Sequence, residues 1–92
     1  MEEREYIISL YEYYGKLLTN KQQSFFEDYY YENLTMEEIS DNNNISKNAV
    51  SKQLINIKNK LYYYEEILKL KYKNNKIKTI LKDKVELINK YI

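Results

Sequence analysis

LTMEEISDNNNISKNAVSKQL, Leu34 to Leu54, is the stretch whose reading decides the fold. Leu34 stands as an apolar staple ahead of Thr35, and Thr35-Met36-Glu37-Glu38 has the form of a capping box. In that motif the threonine oxygen takes the Glu38 N–H while the glutamate reaches back to the threonine N–H. A short helix then turns Met36 and Ile39 inward. Asn42-Asn43-Asn44 breaks it, because asparagine tolerates the left-handed backbone of a tight turn. Ile45 is expected to plug the turn into the core, and Ser46 to cap a second helix opening Lys47-Asn48-Ala49-Val50. Ala49 is small where two helices cross, and Val50 and Leu54 face inward. Lys47, Asn48, Ser51 and Lys52 are left outward on the first turns. The pattern predicts a helix-turn-helix, which presents its second helix to the major groove of DNA. Ser40 stands where such motifs usually have alanine, and Asn43 where they usually have a large apolar residue. The competing reading is an αα-hairpin with no ligand.

Outward from this centre, the 92 residues suffice for one small domain, spanning 1–92, if most helices contribute to its core. One glycine and no proline favour helix. The absence of cysteine removes disulfides, thiolate metal sites and thiol nucleophiles. The absence of histidine removes the commonest general base and metal ligand. No glycine-rich phosphate loop occurs, and nothing singles out a pair of carboxylates, so neither an enzyme nor a cofactor is expected. No apolar run approaches the roughly 20 residues needed to span a bilayer. The acidic start Glu2-Glu3-Arg4-Glu5 is unlike a secretory signal, so a cytoplasmic protein without membrane insertion is expected.

The formal net charge of +1 conceals a division. Residues 1–38 carry nine acids against three bases, a net of −6, and residues 39–92 carry twelve lysines against five acids, a net of +7. Such asymmetry suggests that one end meets an anionic polymer.

Along the chain, residues 3–17 read as an amphipathic helix with Ile7, Leu10, Tyr14 and Leu17 on one face, ending or bending at Gly15. A second capping box, Thr19-Asn20-Lys21-Gln22, opens a helix to about Glu32 whose Phe25, Phe26, Tyr29 and Tyr30 belong to the core. Asn33 ends it. After Leu54, the seam Ile57, Leu61, Tyr64, Leu68 continues at spacings of three and four, fit for the rest of the domain or for a second copy. Tyr62, Tyr63 and Tyr64 cannot all face one core. Asn74-Asn75 is read as the next break. A last helix follows over about 77–91, with Ile77, Ile80, Leu81, Val85 and Ile88 on one face. Seven lysines and one aspartate lie between Lys69 and Lys84, either a solvated face or a surface for nucleic acid or an acidic partner.

Leu18-Thr19-Asn20-Lys21-Gln22-Gln23, Tyr29-Tyr30, Leu34-Thr35, Glu38-Ile39, Asn44-Ile45-Ser46 and Ala49-Val50, in that order, resemble the YlxM family over about residues 5–70. These are small helix-turn-helix proteins of low-GC bacteria, similar in fold to region four of sigma factors. Their genes typically lie beside those of the signal recognition particle. The two capping boxes, the three-four periodicity and the absence of proline predict an all-α fold of about five helices with a long recognition helix. The resemblance implies DNA binding, and a regulatory or accessory role in that targeting pathway. The chain departs from the family at Asn43, often a bulky aromatic, at Lys47-Asn48, often Arg-Gln, and at Lys52, often acidic. It is also shorter at its C-terminus than many members.

The expected DNA-binding set is therefore Ser46, Lys47, Asn48, Ser51 and Lys52. Lys47 and Lys52 would neutralise phosphates, Asn48 would pair with adenine, and Ser51 could take either role. Gln53 is a weaker candidate whose direction depends on helix rotation. A domain this small offers few contacts, so a homodimer on two half-sites is expected. The alternative is an accessory that binds the particle's protein or its RNA.

Overall fold

The computed structural model describes residues 3–90, with side chains to residue 82, so Val85 and Ile88 lie outside the described side chains. It contains five α-helices: α1 Glu3–Tyr14, α2 Asn20–Tyr30, α3 Met36–Asn43, α4 Lys47–Leu68 and α5 Leu70–Lys90. A single 3₁₀ turn, Gly15–Leu17, joins α1 to the α2 entry, and no strand occurs among the described residues.

Local chemistry sets the starts of α2, α3 and α4. Both capping boxes form: Gln22 N–H donates to Thr19 Oγ1 at 3.1 Å, and Glu38 N–H to Thr35 Oγ1 at 3.1 Å, each reciprocated by the N3 side chain. Ala49 N–H donates to Ser46 Oγ at 3.0 Å. Asn33 at φ 57° and Asn44 at φ 55° take the left-handed backbone that ends α2 and α3. Of the three asparagines 42–44, it is the last that turns.

One core holds the elements together. Val50, Leu54, Ile57 and Leu61 line one face of α4 and pack with Ile7, Leu10, Tyr14, Leu18, Phe25, Phe26 and Ile39. Tyr11 stacks on Phe26 with ring centroids 4.0 Å apart. Gly15 accommodates that ring: a Cβ there would lie 2.9 Å from Tyr11 Cε2. Arg4 clasps the end of α2, donating to Tyr30 O and Asn33 Oδ1 at 2.9 and 2.8 Å.

Four expectations are corrected. Leu17 is 55% exposed, and Leu18 is buried in its place, because the α-helix gives way to the 3₁₀ turn at Gly15 and Leu18 then leaves it in extended backbone, φ −80° and ψ 158°. Ile45 does not plug the core but is 36% exposed; the turn uses its backbone N–H, which donates to Ser40 O at 3.1 Å. Ser40 is instead the buried small residue beside the turn, its hydroxyl satisfied by Glu37 O at 2.7 Å. The α4 seam is filled from within the chain as far as Leu61, while Leu68 is 40% exposed.

The fourth correction concerns the last helix. Asn74-Asn75 does not break the chain; the break is at Lys69, φ 52°, and α5 runs unbroken from Leu70. Its first turn is capped from a distance. Tyr14 Oη donates to Glu65 Oε1 at 2.6 Å and accepts the Leu70 N–H at 2.9 Å, while Glu65 Oε1 accepts the Lys71 N–H at 3.2 Å. These side chains serve N–H groups that a helix start leaves unpaired. Asn74 sits inside the helix and donates to Tyr13 Oη at 2.6 Å.

α4 and α5 follow each other nearly end to end. At about 1.5 Å per residue the two would span roughly 64 Å, and the molecule is 63 Å long by 25 by 21 Å. Its radius of gyration is 17.8 Å, against about 12 Å for a compact chain of this length.

Two outcomes follow. Tyr14→Phe should cost about 1–3 kcal/mol in urea denaturation, since it keeps the ring and strands the Leu70 N–H; parental stability would show the cap to be idle. The second is alkaline instability. Burial, then the Glu27 carboxylate, pushes the Tyr11 phenol up to about 12, and burial foremost raises Tyr14, Tyr30 and Tyr31 too. The folded chain thus keeps protons that the unfolded chain releases above about pH 10. Stability that is fully present below that pH should fall as pH rises from about 10 to 12. Tyr11→Phe should shallow the fall, read by denaturation at a series of pH values.

Candidate nucleic-acid interface

The core line of α4 determines what its other side shows. With Val50, Leu54, Ile57 and Leu61 inward, the opposite line carries Asn48, Lys52, Ile55 and Asn59, with Asn56 and Tyr63 beside it, all exposed. Asn48 and Lys52 therefore stand at the centre of the outer face. Ile55, 53% exposed, extends that face a turn further.

The remaining expected residues lie to the sides. Lys47 is exposed and shares a groove with Arg4, Asn33, Thr35 and Met36, where α4 begins beside the start of α3. Ser51 is half-buried on that same flank, and Ala49 is half-buried on the other. Ser46 is exposed, its oxygen already holding the Ala49 N–H and its own proton left to donate. Gln53 turns toward α2 and lines an amide-rich groove with Gln22, Asn56, Asn59 and Lys60. The five expected residues thus cluster on the first two turns of α4, with Asn48 and Lys52 foremost. The reading from sequence missed Ile55, Asn56 and Asn59. Their signal was the same three-four spacing, continued outward from Asn48 and Lys52.

Asn43 is held in place here by Lys21, which donates to its Oδ1, while Asn43 Nδ2 donates to Ile39 O at 2.7 Å. Asn43 thus forms a polar tie between α2 and α3. Electrostatically the two motif helices are not strongly basic. α3 carries the exposed acids Glu37, Glu38 and Asp41 beside the Lys47 and Lys52 of α4, and the larger share of lysine sits further along, on α5. Among the described residues no cluster of acidic side chains is placed to hold a metal ion, and no helix is long and apolar enough to cross a membrane.

Comparison with known proteins agrees with the helix-turn-helix fold. Residues 1–91 match the UPF0122 family model, described as "Putative helix-turn-helix protein, YlxM / p13 like". A UPF0122 protein of Clostridium acetobutylicum is 41% identical over 91 residues, covering 96% of this chain and 78% of that protein. One of Malacoplasma penetrans is 41% identical over 73 residues, covering 79% and 68%. One of Ureaplasma parvum is 38% identical over 90 residues, covering 95% and 90%.

Since Ser46 caps the helix that carries the outer face, Ser46→Ala should cost about 1 kcal/mol in a chemical melt. Ser46→Gly should cost only a few tenths. Equal losses for both would mean that the hydroxyl contributes nothing to the helix start.

Proposed function

The chain belongs to the YlxM/p13-like family of helix-turn-helix proteins, and from that premise we propose that it binds duplex DNA as a small regulator. One observation carries this reading: α4 is clamped by Val50 and Leu54 while its first two turns leave Lys47, Asn48 and Lys52 free in solvent. A helix presented in this way enters the major groove with its N-terminal residues at base edges and phosphates. Lys47 and Lys52 each neutralise a phosphate, the flanking hydroxyls of Ser46 and Ser51 donate to the backbone, and Asn48 makes the bidentate contact to adenine. The outer face works by binding and not by catalysis. Two copies, bound as a symmetric pair on half-sites one helical turn apart, supply the contacts that a single short face lacks.

A second reading is favoured by the larger share of lysine on α5 than on the motif helices. In it the chain is an accessory of the signal recognition particle and binds that particle's protein or RNA, with the exposed tyrosines adding apolar contacts.

Binding to duplex DNA and to the particle's RNA across a salt series separates the two. If α4 reads DNA, Lys47→Ala and Lys52→Ala each lower the salt slope on duplex by about one unit on every sequence. Asn48→Ala loses about 1–3 kcal/mol on the preferred site and little elsewhere. Lysine variants that bind duplex with the parent's affinity and slope would remove α4 as the reader and put the accessory reading first.

A further inference from the structure

α5 carries an apolar stripe that the rest of the chain does not cover. Ile77, Ile80 and Leu81 recur at spacings of three and four and are 54%, 46% and 56% exposed. The helix is anchored at its start, by Tyr14 and Glu65 on its first turn and by Tyr13 on Asn74. Past Asn74 it overhangs the body, and the stripe prolongs the line on which Asn74 meets α1. Exposed apolar surface of this extent marks a contact site.

The charges around it narrow the choice of partner. Lys73, Lys76, Lys78 and Lys82 flank the stripe, Lys71 lying over the Tyr6 ring of its own chain, and no acidic residue lies between Leu70 and Lys82. Two such helices paired only with each other would bring both sets of lysines together. A fitting partner supplies carboxylate and apolar surface at once. The chain has such a surface. Beside the point where α5 leaves the body, Tyr11, Glu12, Tyr13, Lys16 and Tyr31 line an open groove, and Glu27 sits against Tyr11, so that two carboxylates stand there against one lysine. Glu12 is exposed, and Tyr31 is 43% exposed. Within one chain α5 meets the edge of this groove at Asn74, on Tyr13, and Ile77, Ile80 and Leu81 beyond it stay exposed. Two copies related by a two-fold axis can lay each stripe in the other's groove, each overhang running back beside the other.

We propose that the chain pairs with a second copy of itself, the stripe Ile77–Ile80–Leu81 of each α5 lying in the Tyr11–Glu12–Tyr31 groove of the other. The proposal rests on the paired state in the reading above and is independent of which bases α4 meets. It places the dimer contact on α5, away from the α4 seam that each copy fills from within as far as Leu61, with Tyr64 packed against that core.

Sedimentation equilibrium of the whole chain tests it. The parent should run at about twice the 11.3 kDa chain mass, and its dimer should weaken as ionic strength rises. Ile77→Glu with Leu81→Glu should leave monomer at all concentrations reached, and Glu12→Lys should raise the dimer Kd about tenfold or more. All three positions are exposed, so circular dichroism should report unchanged helix content. A monomeric parent overturns the surface and the half-site pairing together. A dimer indifferent to Ile77→Glu with Leu81→Glu keeps the pairing and overturns this surface. A dimer that tightens with salt and ignores Glu12→Lys overturns the groove and leaves α5 paired with α5. A monomer that floats with vesicles of anionic phospholipid, through the same stripe, makes a lipid surface the partner. DNA affinity of Lys52→Ala, measured alongside, fails or holds independently.

Discussion

The burial of one line along α4 governs the molecule. Val50, Leu54, Ile57 and Leu61 occupy four successive turns of a single face, and helices α1, α2 and α3 each reach that line. Each such side chain stabilises the fold by about 1.5–3 kcal/mol over its exposed state. Together they fix the rotation of α4 about its own axis. Once that rotation is fixed, the opposite line has no freedom left: Asn48, Lys52, Ile55 and Asn59 must stand in solvent. The candidate interface is thus a geometric consequence of the core, and a change of rotation by one residue would replace it with other side chains.

Around this line the chain spends its polar groups on helix ends. Thr19, Thr35 and Ser46 each accept an otherwise unpaired N–H, and Asn33 and Asn44 turn the chain without glycine. These devices act within a few residues and set the short path from α2 through α3 to α4. They hold the motif helices at a fixed relation while costing none of the outward side chains of α4 except the Ser46 oxygen.

The junction after α4 obeys different physics. Its cap joins residues from opposite ends of the chain, Tyr14 and Glu65 serving Leu70 and Lys71. Tyr14 has a dual role, its ring in the core and its hydroxyl at the α5 start. Stability of the body and direction of the overhang are therefore coupled through one side chain. That direction carries the lysines away from the acidic first half of the same chain, and leaves both available to another molecule.

The helices, both capping boxes, the Ser46 cap and the inward set Ile39, Val50 and Leu54 could be read from the sequence because each depends on neighbours within four residues. The outward position of Lys47, Asn48 and Lys52 followed from the same spacing. Family membership was legible in the ordered motifs. What the spacing could not reveal was anything set by distant partners. Leu18 rather than Leu17 enters the core because Gly15 tightens the turn beneath the Tyr11 ring. Ile45 stays 36% exposed because the turn at Asn44 holds its backbone N–H, on Ser40 O, and not its side chain. Asn74-Asn75 carries every local mark of a break, yet it is helical. The actual break, Lys69, carries none, since the groups that cap α5 come from 56 and 6 residues away. Local propensity weighs tenths of a kcal/mol to about one per residue, and here the part-buried hydrogen bonds to Tyr14 and Glu65 decide where α5 starts.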